Sequence, residues 1–198
     1  MMQQRLRAAG LVLFWLAVAG ALSAGKVALQ TIPREFAEDL DGKPVDPIAS
    51  SRGALTVLVF IRTDCPISNR YAPEIQRLSQ EFRKQAKFWL IYPERAESPL
   101  RIREHGEEFH YTMPALRDVH HSLVTRAEAT ITPEAAVFER SGKLIYHGRI
   151  DNWYEELGRS RAKPTTHELE DAIRKTVAGE TISAAHANAV GCYISDLK

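Results

Sequence analysis

Residues 57–78, VLVFIRTDCPISNRYAPEIQRL, decide how the rest of the chain is read. Val57 to Ile61 are apolar and mostly β-branched or aromatic, the composition of a buried strand. Arg62, Thr63 and Asp64 make a short polar turn. Ile75, Leu78 and Phe82 then fall on one face of a helix, so the segment runs strand, turn, helix. Cys65 stands at the junction, with Pro66 in the first helical turn, where a missing N–H leaves no bond unmade. A thiol at that place faces unpaired backbone N–H groups and the positive end of the helix dipole, both of which favour thiolate over thiol. Arg62 and Arg70 are expected to add positive potential. Cys65 is therefore the candidate nucleophile; the plainer reading is a buried thiol acting as a small hydrophobe.

Working outward, Phe88 to Tyr92, Ala135 to Phe138 and Leu144 to His147 read as further buried strands beside Thr56 to Ile61. Ser98 followed by Pro99 opens a second helix as N-cap and first residue. Strands alternating with helices predict an α/β sheet. The short Gly-containing connection Glu139 to Lys143 predicts an antiparallel hairpin within it, hence a mixed sheet. Thr165 and Glu168 fit a capping box, and Leu169, Ile173 and Val177 recur at helical spacing up to Gly179. A last helix is thus expected at about 166–178. Asp151 to Pro164 is polar and without a clear period, and is expected to be a loop with at most one helical turn.

The 198 residues carry 26 Lys and Arg against 25 Asp and Glu, a net charge of +1, and 44% of them are hydrophobic. That fits one ordinary globular domain. It argues against a disordered tail protein, which lacks so much apolar sequence, and against electrostatically driven nucleic-acid binding, which needs a basic excess. Two cysteines are too few for a dense disulfide scaffold or an all-cysteine zinc site. Residues 1–25 place Arg5 and Arg7 before an uncharged stretch and finish in Ala21, Ser23, Ala24 and Gly25, as a secretory signal peptide does. An uncleaved anchor is the alternative, and the only route to membrane contact. Removing residues 1–25 takes away both arginines and no acid, turning +1 into −1. The expected location is periplasmic or secreted, where a disulfide persists.

Several features together resemble the thioredoxin-like superfamily, and within it exported redoxin-type proteins related to the alkyl hydroperoxide reductase and thiol-specific antioxidant group. They are AEDLDGKPVDP at 37–47, which looks like the redoxin N-terminal hairpin, the strand–Cys65–helix unit, Pro73 at the position of the thioredoxin helix-kinking proline, and Thr132-Pro133 before the AAVF strand. The resemblance covers about Ile32 to Gly179 and leaves a C-terminal tail, 180–198. It implies a thioredoxin-like fold, with a mixed central sheet flanked by helices. It also implies that Pro133 is cis and that Thr132 and Pro133 bind an extended thiol substrate. The expected function is that of an exported thiol–disulfide oxidoreductase, with a thiol peroxidase or a non-catalytic redoxin-fold binding module as alternatives; the expected partners are a thiol or disulfide protein, or a peroxide, and no cofactor is implied.

The chain also departs from these families. Ser68 stands where the dithiol motif has its second cysteine, so a local CxxC cycle is excluded. Peroxiredoxins carry a threonine three residues before their reactive cysteine and a proline further upstream; here Thr63 lies two before and no proline is near. TDCPIS resembles copper-delivery proteins of the Sco type, yet Asn69 replaces their second cysteine and Ile131-Thr132-Pro133 replaces their late histidine.

The remaining thiol is Cys192, in the tail motif AVGCYI. It reads as a resolving cysteine brought in by a flexible tail, as a static clamp on that tail, or as a site of intermolecular pairing. Ser68 and Asn69 are expected to support the Cys65 thiolate by hydrogen bonds, beside Pro66. The seven histidines, His120-His121 included, show no ligand spacing, so no metal site is expected and they are read as facing solvent. Trp153 and Tyr154 read as packing of the 151–164 segment or as a partner groove. Arg117-Asp118 and Arg159 to Lys163 read as solvated charges.

Overall fold

The computed structural model describes residues 36–51, 53–180, 182 and 185–197. The signal-peptide reading of residues 1–25 lies outside them. The described residues open with a hairpin, β1 (Ala37–Asp39) and β2 (Pro44–Val45), where the redoxin-like motif predicts one. A short helix, α1 (Pro47–Ser50), follows with Asp46 capping it. Then come β3 (Leu55–Phe60), α2 (Pro66–Arg70) and α3 (Ala72–Glu81). The helix after Cys65 is thus broken at Tyr71, two residues before Pro73, whose lack of an N–H disfavours an unbroken helix there. β4 (Ala86–Tyr92), α4 (Pro99–Glu108), β5 (Ala115–Arg117), α5 (Ser122–Ala127), β6 (Ile131–Thr132), β7 (Glu134–Phe138) and β8 (Leu144–Gly148) complete the middle of the chain. Ser98 caps α4 as predicted, its hydroxyl accepting from the Arg101 N–H.

One eight-stranded sheet has the order β11-β8-β7-β3-β4-β5-β1-β2, β11 being Ala185–Ala187 of the tail. β3 runs parallel to β4 and antiparallel to β7, and β7 and β8 form the antiparallel hairpin read from Glu139 to Lys143. The sheet is mixed, as the sequence indicates.

Strand alternation divides the core into two layers. Val57, Val59 and Ile61 face one cluster with Ile75 and Leu78 of α3, Ile102 of α4, and Leu169 and Ile173 of α6 (Glu168–Val177). Leu58 and Phe60 face the other, with Ile48, Leu123, Val124 and Ala127 from α1 and α5. Each such aliphatic or aromatic side chain contributes about 1.5–3 kcal/mol by leaving water. Cys65 belongs to the first cluster, so the nucleophile candidate sits where α2 enters that layer.

Four expectations are corrected. The 151–164 segment holds a two-stranded ribbon, β9 (Tyr154–Glu156) with β10 (Arg159–Ser160), and no helical turn. Thr165 does not cap α6: its N–H donates to Asn152 Oδ1 at 2.8 Å and its hydroxyl accepts from Asn152 Nδ2, while His167 occupies the cap position. Asp118 is wholly buried and accepts from the Ser122 and Val124 N–H groups, so it anchors α5 instead of facing water. The tail is not a free arm: β11 pairs parallel with β8, and β12 (Cys192–Tyr193) pairs antiparallel with β6. Trp153 and Tyr154 pack, Trp153 meeting Tyr71 edge-on at 5.6 Å between ring centres.

Candidate functional site

Cys65 is the N-cap of α2, in extended backbone conformation, and its Sγ accepts from the Ser68 N–H at 3.5 Å. The thiol form donates to the Thr132 carbonyl at 3.3 Å. Thr132-Pro133 is a cis peptide, as the resemblance implies, and brings the Thr132 backbone beside the sulfur. The second sulfur arrives from the tail. β12 lies against β6 in the register Cys192↔Thr132, the Thr132 hydroxyl donates to the Cys192 carbonyl, and Cys192 Sγ donates to Cys65 Sγ at 2.9 Å. Both cysteines are free thiols.

The two thiols are electrostatically unlike. Burial opposes charge on Cys65, but hydrogen bonds from Cys192, from the Ser68 hydroxyl and N–H, and from the Ile67 N–H outweigh it and bring the thiol below its ordinary value. Ser68 Oγ is buried and has no partner within ordinary hydrogen-bond geometry among the described residues, so its hydroxyl acts on the sulfur through a looser contact than the Ser68 N–H. Cys192 is pushed up to about 12 by burial, by its bond to Cys65 and by repulsion from a Cys65 thiolate. One sulfur is thus set up as thiolate and its neighbour as proton-bearing thiol.

Of the residues singled out from the sequence, Cys65, Cys192, Thr132, Pro133, Pro66 and Ser68 meet here. Asn69 does not face the sulfur. Its Nδ2 donates to the Thr63 carbonyl at 3.3 Å and its Oδ1 faces His105 Nε2 at 2.9 Å, while His105 Nδ1 meets the Tyr92 hydroxyl. It braces the turn that carries Cys65. Arg62 is held by Asp64 and Glu94 and by the Tyr193 carbonyl, so its charge reaches Cys192 and pins the tail. Arg70 lies over the Trp153 ring, 5.3 Å from its centre.

Glu97 was missed. It is buried, its Oε1 accepts from the Thr63 N–H at 2.6 Å, and its Oε2 has no partner among the described residues. Burial, opposed in part by the bonds from Thr63, raises its carboxyl above the usual range. Its only signal in the sequence was an acid beside the Ser98 cap, which nothing tied to Cys65. The histidines are also not all solvent-facing: His105 and His121 are buried, His121 Nε2 lying 3.0 Å from the Pro93 carbonyl.

The AhpC/TSA family model matches residues 28–147, more than half of the chain and the part that includes Cys65, Thr132 and Pro133. The chain belongs to the AhpC/TSA family. No curated protein sequence matches it. Among solved structures, this AhpC/TSA protein is similar to an uncharacterized conserved protein from Geobacillus kaustophilus, with 25% identity, a TM-score of 0.70, and 80% of this chain and 86% of that one covered. A secreted Mycobacterium tuberculosis disulfide oxidoreductase matches at 20% identity and TM-score 0.50, covering 70% and 93%. The exposed lipoprotein thioredoxin of Streptococcus pneumoniae matches at 18% and 0.53, covering 73% and 97%. These likenesses establish the fold, which is thioredoxin-like.

Proposed function

We propose that the protein is a thiol–disulfide oxidoreductase in which Cys65 is the nucleophile and Cys192 the resolving thiol. The observation that carries this reading is the pair of free sulfurs at 2.9 Å, one favoured as thiolate and the other as thiol. The Cys65 thiolate attacks one sulfur of a substrate disulfide; that S–S bond breaks, and the substrate's other sulfur leaves as a thiolate that takes up a proton. Cys65 has then lost its negative charge, which removes one cause of the high value at Cys192. Cys192 gives up its proton and attacks Cys65 Sγ. The Cys65–Cys192 disulfide forms, and the second substrate thiolate is released and protonated. The substrate is reduced by two electrons and the protein oxidised by two; the reverse sequence oxidises a dithiol. A disulfide needs Cα atoms within about 7 Å, a condition the β6–β12 pairing serves.

The sequence readings of residues 1–25 support action in the periplasm or outside the cell, or at a membrane face if that segment is kept. The secreted and exposed thioredoxin-like proteins among the similar structures point the same way.

A second reading is a thiol peroxidase. It is favoured by the complete burial of Cys65 beneath β12, since a peroxide, far smaller than a protein disulfide, needs a much smaller displacement of the tail to reach Sγ. The thiolate then attacks the O–O bond, giving a sulfenic acid and an alcohol or water, and Cys192 condenses with it to the same disulfide and a water. Alkylation and mass spectrometry on the protein mixed with a model disulfide or with peroxide test both. A mixed disulfide trapped in Cys192→Ser supports the first reading, and rapid sulfenic acid at Cys65 supports the second. Two thiols that stay free under both treatments would overturn both.

A further inference from the structure

On the sheet face opposite Cys65, Glu134, His147 and His186 bring one carboxylate oxygen and two imidazole nitrogens within 4.8 Å of one another. They come from β7, β8 and β11, and no short-range motif announced them. The register sets them side by side, since β8 pairs with β11 at His147↔His186 and with β7 at His147↔Ala136, two residues from Glu134 on the same strand face.

Each of the three has one atom anchored and one open. Glu134 is almost wholly buried; its Oε2 accepts from the Thr130 and Ile131 N–H groups, which leaves Oε1 directed at His147 Nδ1, 3.7 Å away. That nitrogen is buried and has no hydrogen-bond partner among the described residues. On the other side of the ring, Nε2 lies 3.5 Å from the Glu128 carboxylate. His186 Nε2 donates to Asn188 Oδ1 at 2.8 Å, a bond that leaves Nδ1 with its lone pair. An outer acceptor on the far nitrogen of each imidazole is the arrangement by which metal-ligating histidines are oriented and made more basic. A buried ring nitrogen without a hydrogen bond would otherwise cost stability.

We infer that Glu134, His147 and His186 form a binding site for a first-row divalent transition ion of the zinc class. Two imidazoles and one carboxylate suit such an ion, and three protein ligands leave a fourth position for water. Metal–ligand distances of about 2.0–2.2 Å require the three donors to draw in to about 3.3 Å of one another, within the reach of side-chain rotation at the exposed His186. Each imidazole binds through a neutral ring nitrogen, which alone has a lone pair to give. The ion ties β11 to β7 and β8, and so fixes the tail six residues before Cys192.

The test is a Zn2+ titration of the full chain against a chromophoric chelator, in a Cys65→Ser, Cys192→Ser background so that the thiols take up no metal. Wild-type protein is measured beside it. One Zn2+ per chain at about micromolar Kd or tighter is expected, with loss of about tenfold or more in affinity in His186→Ala and in His147→Ala. Amide hydrogen exchange at Ala185 to Ala187 should slow on Zn2+ addition in the parent and not in His186→Ala. His186 is exposed, so its loss leaves the core intact and keeps the test sound if Glu134→Gln fails to fold. His167→Ala serves as the control, because Glu74, Asp151 and His167 form a second cluster of metal-ligating types. No uptake up to about 100 μM, uptake unchanged in His186→Ala, or uptake lost only in His167→Ala would each overturn the inference.

Discussion

Gly191 lies so close to Thr132 that a Cβ on it would sit 2.0 Å from the Thr132 carbonyl oxygen and 2.7 Å from its carbon. This contact lets β12 approach β6, and through it Cys192 reach Cys65. Any side chain at 191 must push the tail away from backbone that cannot yield.

Gly191→Ala is therefore expected to separate the two sulfurs while leaving the sheet and Cys65 in place. Oxidation to an intramolecular Cys65–Cys192 disulfide should slow by about tenfold or more, since bridging fails once the Cα atoms part beyond about 7 Å. Non-reducing mass spectrometry over time measures it. Disulfide formation at the parent rate would mean that the tail finds Cys65 without this contact.

Removing the hydrogen bond that Cys192 gives to Cys65 takes away a cause of the lowered Cys65 value. In Cys192→Ala the midpoint of the alkylation rate against pH should move up, and the thiolate-limited rate at neutral pH fall by about threefold or more. The same substitution uncovers Cys65, which alone would raise the rate at every pH. Lost cover also eases the burial that opposes the thiolate, so Cys192→Ser, which keeps a hydrogen-bond donor in place, is the comparison that separates the two effects.

Glu97 carries a carboxyl raised by burial above its ordinary 4.5. An acid of this kind supports the fold fully below its unfolded value, and that support is lost as pH rises through the folded value. Glu97→Gln keeps an acceptor for the Thr63 N–H and removes the charge. Its unfolding free energy should fall less steeply than wild type above about pH 4.5. Glu97→Ala, which orphans that N–H, should cost about 1–3 kcal/mol at all pH values. Denaturant unfolding at several pH values checks both.

Asp118 answers the Ser122 and Val124 N–H groups from a fully buried position. Asp118→Ala should lower stability by about 1–3 kcal/mol and speed amide exchange in α5. Because α5 packs on the face opposite Cys65, the alkylation profile of Cys65 should not change.

Local pattern determined much of this protein. Period-two and period-3.6 spacing, the Ser98 cap, the Gly-containing turn after Phe138 and Cys65 before Pro66 each depend on neighbours in the chain, and each is found where it was read. The mixed sheet and the cis bond at Thr132-Pro133 follow from those elements together with the family resemblance. Where the tail goes was not legible, because a two-residue strand such as Cys192–Tyr193 acquires its conformation from the edge it joins. The role of Asn69 was misread for a related reason: its side chain had a nearer bond to Thr63 and His105 than to the sulfur three positions before Ser68's own turn closes. Only the tertiary structure brings Cys192 from 127 residues away onto Cys65, places Glu97 under the active turn, and sets His147 between Glu134 and His186. These are contacts between strands distant in sequence, fixed by sheet register, and register is a property of the assembled sheet.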